Sequence, residues 1–518
     1  MMSNQYNVSP EGTLLKKCNI YALGINRGNK KVFFKCSFRL LPMALREVAT
    51  LFNIGSKFDF DCKQVTLDNY LDPRLKSQAI KYCSNDAVLV VRFLEKVKKS
   101  ISKYTDLNNV YTMSGLAERI YNKYFNKFKI VLRQTLHFDR MFRDAYYGGR
   151  CEVFGNLKKD EHCFHFDFSG MYSQQLLKEF PYGNYRRIEP CYCINDYGFY
   201  YVLVESNCEL PSLPYRDKNS GKLLFPNGTF YGLYWGEELN LFIRNGGVIK
   251  KIYYGIEFEK KDYLFKDFAN TCIENRKLTT HDKTIWKMIP NSFIGRLGMK
   301  YENERTIIIK AEDYDPTTLN VIMDKQINNV FVSRVSLDAD TDDNALGGNV
   351  LYPAIITARA RILWWESANE VIKQKGRILY CDTDSIFAAF KKENNPVDKQ
   401  HGHVFWDSRK SDTVLDDACF VTCKVYAIEY ANRTVVKMKG INKKSLVSWN
   451  MDDFKKNFKQ KNIVGLSIDQ FKKNNMCITI SEINKQIDFS FYDKRIFNDD
   501  KTETTALTIY EVPTDDPI

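Results

Sequence analysis

The stretch Tyr380-Cys381-Asp382-Thr383-Asp384-Ser385 places two carboxylates two residues apart inside an otherwise apolar segment. Residues 378–379 before it and 386–390 after it are apolar, which predicts a strand, a tight turn and a second strand. Burying carboxylates is costly unless a cation offsets their lost hydration, and Mg²⁺ prefers oxygen ligands of this kind. The alternative is an acidic hairpin turn in solvent, since aspartate is a common turn residue.

A second acidic site lies in the segment His165-Phe166-Asp167-Phe168-Ser169-Gly170-Met171-Tyr172. Asp167 ends an apolar strand pattern, and a Ser-Gly turn follows it. Residues 172–180 then have a helix-like pattern. The sequence therefore contains two separate places where a carboxylate follows an apolar strand.

A third segment supplies positive charge. Lys283 and Lys287 are one helical turn apart and are expected on one face, with Arg276 farther up the same predicted helix and residues 291–295 at its end. Alone, such a face is most often simply solvated. Together with two acidic sites that can hold metal ions, it completes the parts that two-metal phosphoryl or nucleotidyl transfer requires.

These segments, in this order, resemble the motifs of the protein-primed family B DNA polymerases of linear plasmids, phages and related viruses. Residues 167–172 resemble the first palm motif, 287–295 the fingers motif and 380–385 the second palm motif. Tyr146-Tyr147-Gly148-Gly149 resembles the link between exonuclease and polymerase regions, and Lys424-Val425-Tyr426 resembles the Lys-x-Tyr motif near the thumb. One short motif can arise by chance, but five in the family's order are specific.

The resemblance implies an α+β fold: a right-hand polymerase with palm, fingers and thumb and a partial exonuclease-like amino-terminal region. The domains expected from motif order are 1–108 exonuclease-like, 109–160 connector, 161–261 first part of the palm with an insertion, 262–300 fingers, 301–426 second part of the palm and 427–518 thumb. Residues 192–254 lie where the family carries an insertion that contacts the priming protein. That assignment is by position only.

The resemblance also implies roles for individual residues. The expected catalytic residues are Asp167, Asp382 and Asp384, of which Asp167 and Asp384 would bind two Mg²⁺ ions. The residues expected to bind the incoming deoxynucleoside triphosphate are Tyr172, Arg276, Lys283, Lys287 and Asn291. Those expected to contact the DNA primer-template are Tyr146, Gly148, Gly149, Lys424 and Tyr426. Tyr172 is expected to exclude a ribose hydroxyl as a sugar gate; the alternative is a core tyrosine at a helix start.

Some positions depart from the family pattern. Ile294 stands where the fingers motif usually has tyrosine, so nucleotide discrimination is expected to change, although Ile294 could still pack against a base pair. Gly170 and Ser173 replace the usual serine and proline of the first palm motif. Pro290 is expected to bend the fingers helix near its end.

The amino-terminal region departs further. Tyr82-Cys83-Ser84-Asn85-Asp86 fits the third exonuclease motif, but no aspartate precedes Asp59, and the earlier acids are only Glu11 and Glu47. The metals of an exonuclease therefore lack their acidic ligands. We expect an amino-terminally shortened polymerase without proofreading, in which Asp86 is a surface acid on a helix over residues 78–97.

Composition agrees with this outline. The chain has 518 residues, 44% of them apolar, and a formal charge of +13, which suits a polyanionic partner. Lysines are frequent after the Lys-x-Tyr motif, in the predicted thumb. The 14 cysteines of the chain are scattered, so we expect a reducing compartment. No signal peptide or long apolar span is visible, so we expect no membrane association. A zinc site that combines residues 162–165 with 191–193 is a minor alternative.

The sequence predicts a monomeric, template-directed DNA polymerase that can start from a hydroxyl of a terminal priming protein. A mitochondrial linear plasmid is the preferred setting, and a viral or cytoplasmic linear plasmid is the alternative. Two other functions stay open. A catalytically decayed, DNA-binding remnant would explain Ile294 and the missing exonuclease motifs, whereas a metal-dependent nuclease would use the same acids but leave the lysines unexplained. The acidic run 338–343 has no assigned role.

Overall fold

The structure is a computed structural model that divides into two compact units, Met1–Asp139 with Leu264–Asn349, and Arg140–Tyr263 with Val350–Ile518. It describes residues 7–16, 19–27, 30–61, 64–65, 69, 71–108, 110–189, 193–278, 280–300, 304–317, 320–327, 329–336, 347–394, 414–430, 433–474 and 477–513. The acidic run 338–343 and Cys191 of the zinc alternative lie outside these residues. The domain boundaries expected from motif order stay a prediction.

Over the described residues, helices occur together with strands that pair mainly antiparallel, which confirms the α+β prediction. Over the described residues the helices are α1 (Leu45–Phe52), α2 (Pro73–Ile101), α3 (Met113–Tyr124), α4 (Leu136–Arg143), α5 (Met171–Gln175), α6 (Gly236–Arg244), α7 (Lys266–Asn275), α8 (Thr280–Leu297), α9 (Leu351–Lys373) and α10 (Met451–Gln460). A search of these residues finds no helix with the length and apolar character needed to cross a bilayer.

The strands are β1 (Asn7–Lys16), β2 (Asn19–Arg27), β3 (Lys30–Lys35), β4 (Arg133–Gln134), β5 (Cys151–Val153), β6 (Glu161–Asp167), β7 (Phe180–Ile188), β8 (Gly198–Ser206), β9 (Tyr215–Arg216), β10 (Leu223–Leu224), β11 (Asn227–Trp235), β12 (Val248–Asp262), β13 (Glu304–Lys310), β14 (Val321–Ile327), β15 (Val330–Ser336), β16 (Gly347–Gly348), β17 (Arg377–Asp382), β18 (Ser385–Lys391), β19 (Val414–Leu415), β20 (Asp417–Thr422), β21 (Val425–Tyr430), β22 (Arg433–Met438), β23 (Ile463–Asn474), β24 (Cys477–Asp488), β25 (Arg495–Phe497), β26 (Thr504–Ala506) and β27 (Thr508–Tyr510).

The first unit packs α8 against α3 and α7 through aromatic rings. Phe293 of α8 lies 4.7 Å from Tyr121 of α3 and 5.1 Å from Phe268 of α7, measured between ring centroids. Trp286, completely buried on the same helix, donates from Nε1 to Ser100 Oγ at 3.2 Å. This packing fixes which face of α8 is buried and leaves another face in solvent. The unit also contains the antiparallel sheets β1-β2-β3 and β13-β15-β14.

Two sequence-based expectations about helices are wrong in this region. Arg276 is the C-cap residue of α7, and α8 begins at Thr280, so Arg276 and the lysines are on different helices. The helix α2 is longer than the predicted residues 78–97 because Pro73 starts it and Asp72 caps it, accepting from the backbone N–H of Arg74 at 2.8 Å. Helix α8 continues through Pro290 to Leu297.

A five-stranded sheet in the order β19-β6-β18-β17-β5 is central to the second unit. Its β17 and β18 are antiparallel, which confirms the predicted strand, turn and strand. One face packs against α9, where Trp364 is buried beside Phe154, Ile386 and Phe390. The helix predicted over residues 172–180 is wrong in length, because α5 ends at Gln175 and β7 starts at Phe180. Pro181 disfavours a helical conformation at Phe180, which accounts for the extended backbone there.

A second five-stranded sheet, in the order β27-β11-β8-β12-β7, lies in the same unit. One face carries the buried core residues Tyr200, Val202 and Val204 of β8. The strand β27, near the end of the chain, pairs in parallel with β11, so residues 508–510 belong to this sheet. Before β27 in the chain, β20-β21-β22 and the hairpin β23-β24 accompany α10, whose Phe454 is completely buried.

Candidate active site

Backbone pairing places the two predicted acidic sites side by side. The strand β18 pairs with β6 in a register that sets Ser385 opposite Asp167. The backbone N–H of Phe168 donates to the carbonyl oxygen of Asp384 at 2.7 Å. Asp384 is exposed and Asp167 is half-buried. Two aspartates that are 217 positions apart in the sequence numbering therefore have neighbouring backbone positions at one end of one sheet.

The turn between β17 and β18 is held in an unusual conformation. Thr383 has a φ of 66°, in the left-handed region that β-branched residues rarely adopt. Its backbone N–H donates to the carbonyl oxygen of Arg150 at 2.7 Å. The backbone N–H of Asp384 donates to the carbonyl oxygen of Asp382 at 2.8 Å. Neighbouring backbone therefore keeps this strained turn in place, as is common where a site needs a fixed geometry.

Asp382 binds a lysine of the predicted Lys-x-Tyr motif. Lys424 Nζ lies 2.9 Å from each carboxylate oxygen of Asp382, and its backbone N–H donates to Tyr380 Oη at 3.0 Å. Burial alone would lower the pKa of Lys424, but the hydrogen bond and negative charge of Asp382 raise it above its ordinary value. Asp382 thus joins the Lys-x-Tyr segment to the acidic hairpin.

Tyr426, the other residue of that motif, is buried. Its ring lies 5.3 Å from Tyr380 and 5.9 Å from Phe387, with Lys437 Nζ 5.2 Å from its centroid. These rings belong to the core beneath the hairpin. The predicted DNA contact of Tyr426 stays a prediction.

The Tyr-Gly-Gly loop closes against the hairpin and Tyr172. A Cβ atom on Gly149 would come within 2.8 Å of Thr383 Cγ2 and 2.9 Å of Tyr172 Oη, so only glycine fits without rearrangement. Gly148 is exposed, and Tyr146 is half-buried. Burial raises the pKa of Tyr172 to about 12, so its hydroxyl is neutral at physiological pH. The structure thus brings Tyr172 together with the acidic hairpin.

Sequence reasoning missed a buried ion pair behind this loop. Arg361 of α9 donates to both carboxylate oxygens of Glu238 at 2.6 and 2.8 Å, and each side chain is at most 3% exposed. Its NH1 also donates to the carbonyl oxygens of Tyr147 and Gly148, at 2.7 and 3.1 Å. Two arginines in the largely apolar first part of α9, residues 351–365, were the available signal, because arginine is rarely buried without a partner.

The predicted nucleotide-binding cations lie in the first unit. Lys283, Lys287 and Asn291 are exposed at four-residue intervals on α8, followed by Gly295, whose added Cβ would meet no atom within 4 Å. These positions form one open helix face. Arg276 is half-buried at the end of α7. Ile294 is 6% exposed, so it packs inside this unit, and its packing against a base pair stays a prediction.

Asp86, the aspartate of the predicted third exonuclease motif, is not a simple surface acid. It pairs with Lys57 at 3.1 Å, and its side chain is 24% exposed. Lys57 Nζ also lies 4.8 Å from the ring centroid of Tyr82. The earlier expectation is therefore corrected: a half-buried local ion pair engages Asp86.

The acidic site fits magnesium by its donor type. Within the described ranges, no group of three or more His, Cys, Asp or Glu side chains could hold a metal ion. Asp167 and Asp384 would therefore act as a pair of oxygen ligands rather than as part of a closed cage. Magnesium is commonly bound in this way, by one or two carboxylates with water and substrate phosphate completing the shell.

Two curated proteins of similar sequence are both described as probable DNA polymerases. A probable DNA polymerase of Podospora anserina is 26% identical over 418 residues, covering 72% of this chain and 34% of the relative. A probable DNA polymerase of Neurospora intermedia is 26% identical over 359 residues, covering 63% of this chain and 35% of the relative. The chain thus spans about a third of the length of these curated relatives.

The fold is similar to that of phi29 DNA polymerase, solved with primer-template DNA and incoming nucleotide substrates. The TM-score is 0.69 at 18% identity, covering 94% of this chain and 87% of that one. This similarity confirms the polymerase fold expected from the motifs. The family model for DNA polymerase type B, organellar and viral, matches residues 68–342, which is more than half of the chain. The chain therefore belongs to the organellar and viral type B DNA polymerases.

Proposed function

We propose that this chain is a template-directed DNA polymerase that adds deoxynucleotides by two-metal nucleotidyl transfer. The observation that carries the proposal is the meeting of Asp167 and Asp384 at one sheet end, joined through the hydrogen bond from Phe168 N–H to the Asp384 carbonyl. Family membership and the similarity of fold support the same reaction class.

The carboxylates would hold two divalent cations, with magnesium the ion their oxygen donors suit best. When bound, the ions would lower the pKa of the primer-end hydroxyl and neutralise charge on the triphosphate and the departing pyrophosphate. Asp382 would have a different role from the two metal-binding aspartates, because its two carboxylate oxygens already bind Lys424. It would hold the Lys-x-Tyr segment beside the primer end.

Tyr172 would select the sugar. Its hydroxyl stands against Gly149, and its ring is partly buried against the palm core, so it cannot easily move aside. A fixed ring beneath the nucleotide sugar would exclude a ribose 2′-hydroxyl by contact. The exposed face with Lys283, Lys287 and Asn291 suits a triphosphate, because lysine ammonium groups bind phosphate as point charges. Arg276 is proposed as an additional triphosphate contact.

The DNA partner and the priming step are also proposed. The charge of +13 and the Tyr146, Gly148 and Gly149 loop suit a primer-template. Resemblance to protein-primed polymerases supports initiation on a terminal protein of a linear plasmid in mitochondria. DNA ends of such an element should change electrophoretic mobility after protease treatment, and a tagged copy of the chain should co-purify with mitochondria.

Primer extension tests the proposal. Purified protein is given a labelled primer-template, magnesium and one, two or four deoxynucleotides, and the product should grow only as far as the template permits. Removal of magnesium with a chelator should stop growth, and its return should restore it. DNA binding without extension would instead identify a decayed remnant, and primer degradation without nucleotides would identify a nuclease. Either result would overturn the proposal.

A further inference from the structure

Three tyrosines form a row across the sheet β27-β11-β8-β12-β7. Tyr254 of β12 is directly paired with Tyr201 of β8, and their ring centroids are 5.5 Å apart at an interplanar angle of 1°. On the other side, Tyr231 of β11 lies 5.8 Å from Tyr201. The row therefore crosses three neighbouring hydrogen-bonded strands. This tyrosine row consists of Tyr201, Tyr231 and Tyr254.

The row is on the face opposite the one that carries Tyr200, Val202 and Val204. Part of the row's own face is covered, because Phe199, two residues before Tyr201 on β8, is completely buried. Along β8, Tyr200 and Val202 are completely buried, whereas Tyr201 between them is half-buried. Side chains alternate between the two faces of a strand, so Tyr201 points away from the core that holds its neighbours. Tyr231 and Tyr254 are also half-buried. The three rings thus keep part of their surface in solvent.

Cations lie at both ends of the row. The Arg187 guanidinium is 4.5 Å from the ring centroid of Tyr254, and Lys218 Nζ is 4.7 Å from that of Tyr231. A third cation, Lys251, approaches the adjacent Tyr253 ring at 4.6 Å. All three cations are exposed. They add positive charge along the same surface.

Acidic groups only partly offset this charge. Glu511 forms an ion pair with Lys218 at 2.6 Å, and Asp144 lies close enough to act electrostatically on Tyr201. Glu205, also on β8, is paired with Lys250 at 2.7 Å. Arg187 and Lys251 therefore leave the surface with more positive than negative groups, which favours an anionic partner.

We propose that the tyrosine row binds single-stranded nucleic acid at a surface distinct from the carboxylate site. Partly exposed aromatic rings on a sheet can stack two or three bases, and nearby cations can bind the phosphates between them. A duplex hides its base faces inside the helical stack, so it cannot use the rings in this way. Stacking and phosphate contacts carry little sequence information, so binding should depend weakly on base sequence.

Oligonucleotide binding to the full chain tests this inference without requiring catalysis. An excess of unlabelled hairpin primer-template first occupies the polymerase site, with no divalent ion present. A labelled oligothymidylate of about 12 nucleotides, within the usual range of single-strand site sizes, is then titrated by fluorescence anisotropy. Tyr201→Leu and Tyr254→Leu should each weaken its binding at least about fivefold, because each removes one stacking ring. Tyr254→Trp should retain binding.

Two controls make the test specific. Tyr263→Leu changes an exposed tyrosine just beyond the end of β12, outside the row, and should bind like the unmodified chain. Arg187→Gln should reduce the slope of log affinity against log salt by about 1, as expected for one lost phosphate contact. Circular dichroism melting identifies any variant that fails to fold.

Photocrosslinking supplies a measurement on the unmodified chain. An oligonucleotide that contains bromouracil should crosslink to peptides from β8, β11 or β12 in the presence of the hairpin competitor. Crosslinks confined to other segments would overturn the inference. So would equal oligonucleotide binding by the unmodified chain and folded Tyr201→Leu and Tyr254→Leu proteins, the result expected if the row binds a protein partner instead.

Discussion

The carboxylate site of the second unit and the lysine face of α8 in the first unit are built by different physical means. Asp167 and Asp384 stand at strand ends, where backbone hydrogen bonds fix their Cα positions. Lys283 and Lys287 stand on an exposed helix face, where spacing alone aligns them. A carboxylate at the end of a strand has a fixed backbone position, whereas long lysine side chains on one helix face can partly substitute for each other.

The largest loss of activity is expected from substitution of the two carboxylates. Asp167→Asn or Asp384→Asn should lower the extension rate at least about a thousandfold, because a lost metal ligand forfeits several kcal/mol of transition-state stabilisation. Single-turnover extension measures the rate, and anisotropy measures primer-template affinity, which should remain within about threefold because phosphate contacts supply most DNA affinity. Near-normal extension by either variant would refute the site.

Two parallel ion pairs allow a sharper test of how the site is positioned. Arg361 binds Glu238 and the carbonyls of Tyr147 and Gly148, while Arg359, two residues earlier, binds Glu237 and the carbonyl of Glu179. Both arginines are buried. Only the Arg361 pair supports the loop that sets Gly149 against Tyr172, so the Arg359 pair is a matched control.

Arg361→Lys should therefore change sugar selection more than Arg359→Lys does. We expect the ratio of kcat/KM for deoxynucleotide over ribonucleotide to fall about tenfold in Arg361→Lys, since displacement of a site by ~1 Å can cost up to about a hundredfold. Steady-state kinetics with each nucleotide measures the ratio. Equal ratios in the two variants, at similar melting temperatures, would show that the Arg361 pair is only structural.

The lysine face should show a smaller effect than the carboxylates. Lys287→Ala should raise the apparent KM for nucleotide, or lower kcat, about tenfold, the loss expected for one hydrogen bond to a charged group. DNA affinity should change little. Lys123→Ala removes an exposed lysine from α3 in the same unit and should leave nucleotide use unchanged. A parallel loss of DNA affinity in Lys287→Ala would assign this face to the duplex.

The smallest effect is expected at Asp86. Its partner is Lys57, and exonuclease chemistry needs several carboxylates around the cleaved phosphate. A mismatched primer incubated with magnesium and no nucleotides should remain intact, and Asp86→Ala should change neither this result nor stability by more than about 1 kcal/mol. Steady trimming that Asp86→Ala abolishes would show that the amino-terminal region has other metal ligands.

Sequence predicted the acidic hairpin well because its information is local. Continuous apolar residues define β17 and β18, and the two aspartates mark the turn between them. The lysine face followed from helical spacing in the same way. Two helix predictions in these regions failed. The pattern after Tyr172 favoured a helix longer than α5, and proximity along the chain wrongly placed Arg276 on the helix of Lys283.

The sequence by itself determined which chemical groups this chain carries and, through five ordered motifs, which family they belong to. Only the tertiary structure decided that Ser385 pairs with Asp167, that Lys424 binds Asp382, and that Gly149 adjoins Tyr172. Periodicity describes a residue's neighbours within about one helical turn or one strand. Contacts between residues tens to hundreds of positions apart depend instead on strand register and on buried groups that must find partners, which no local pattern specifies.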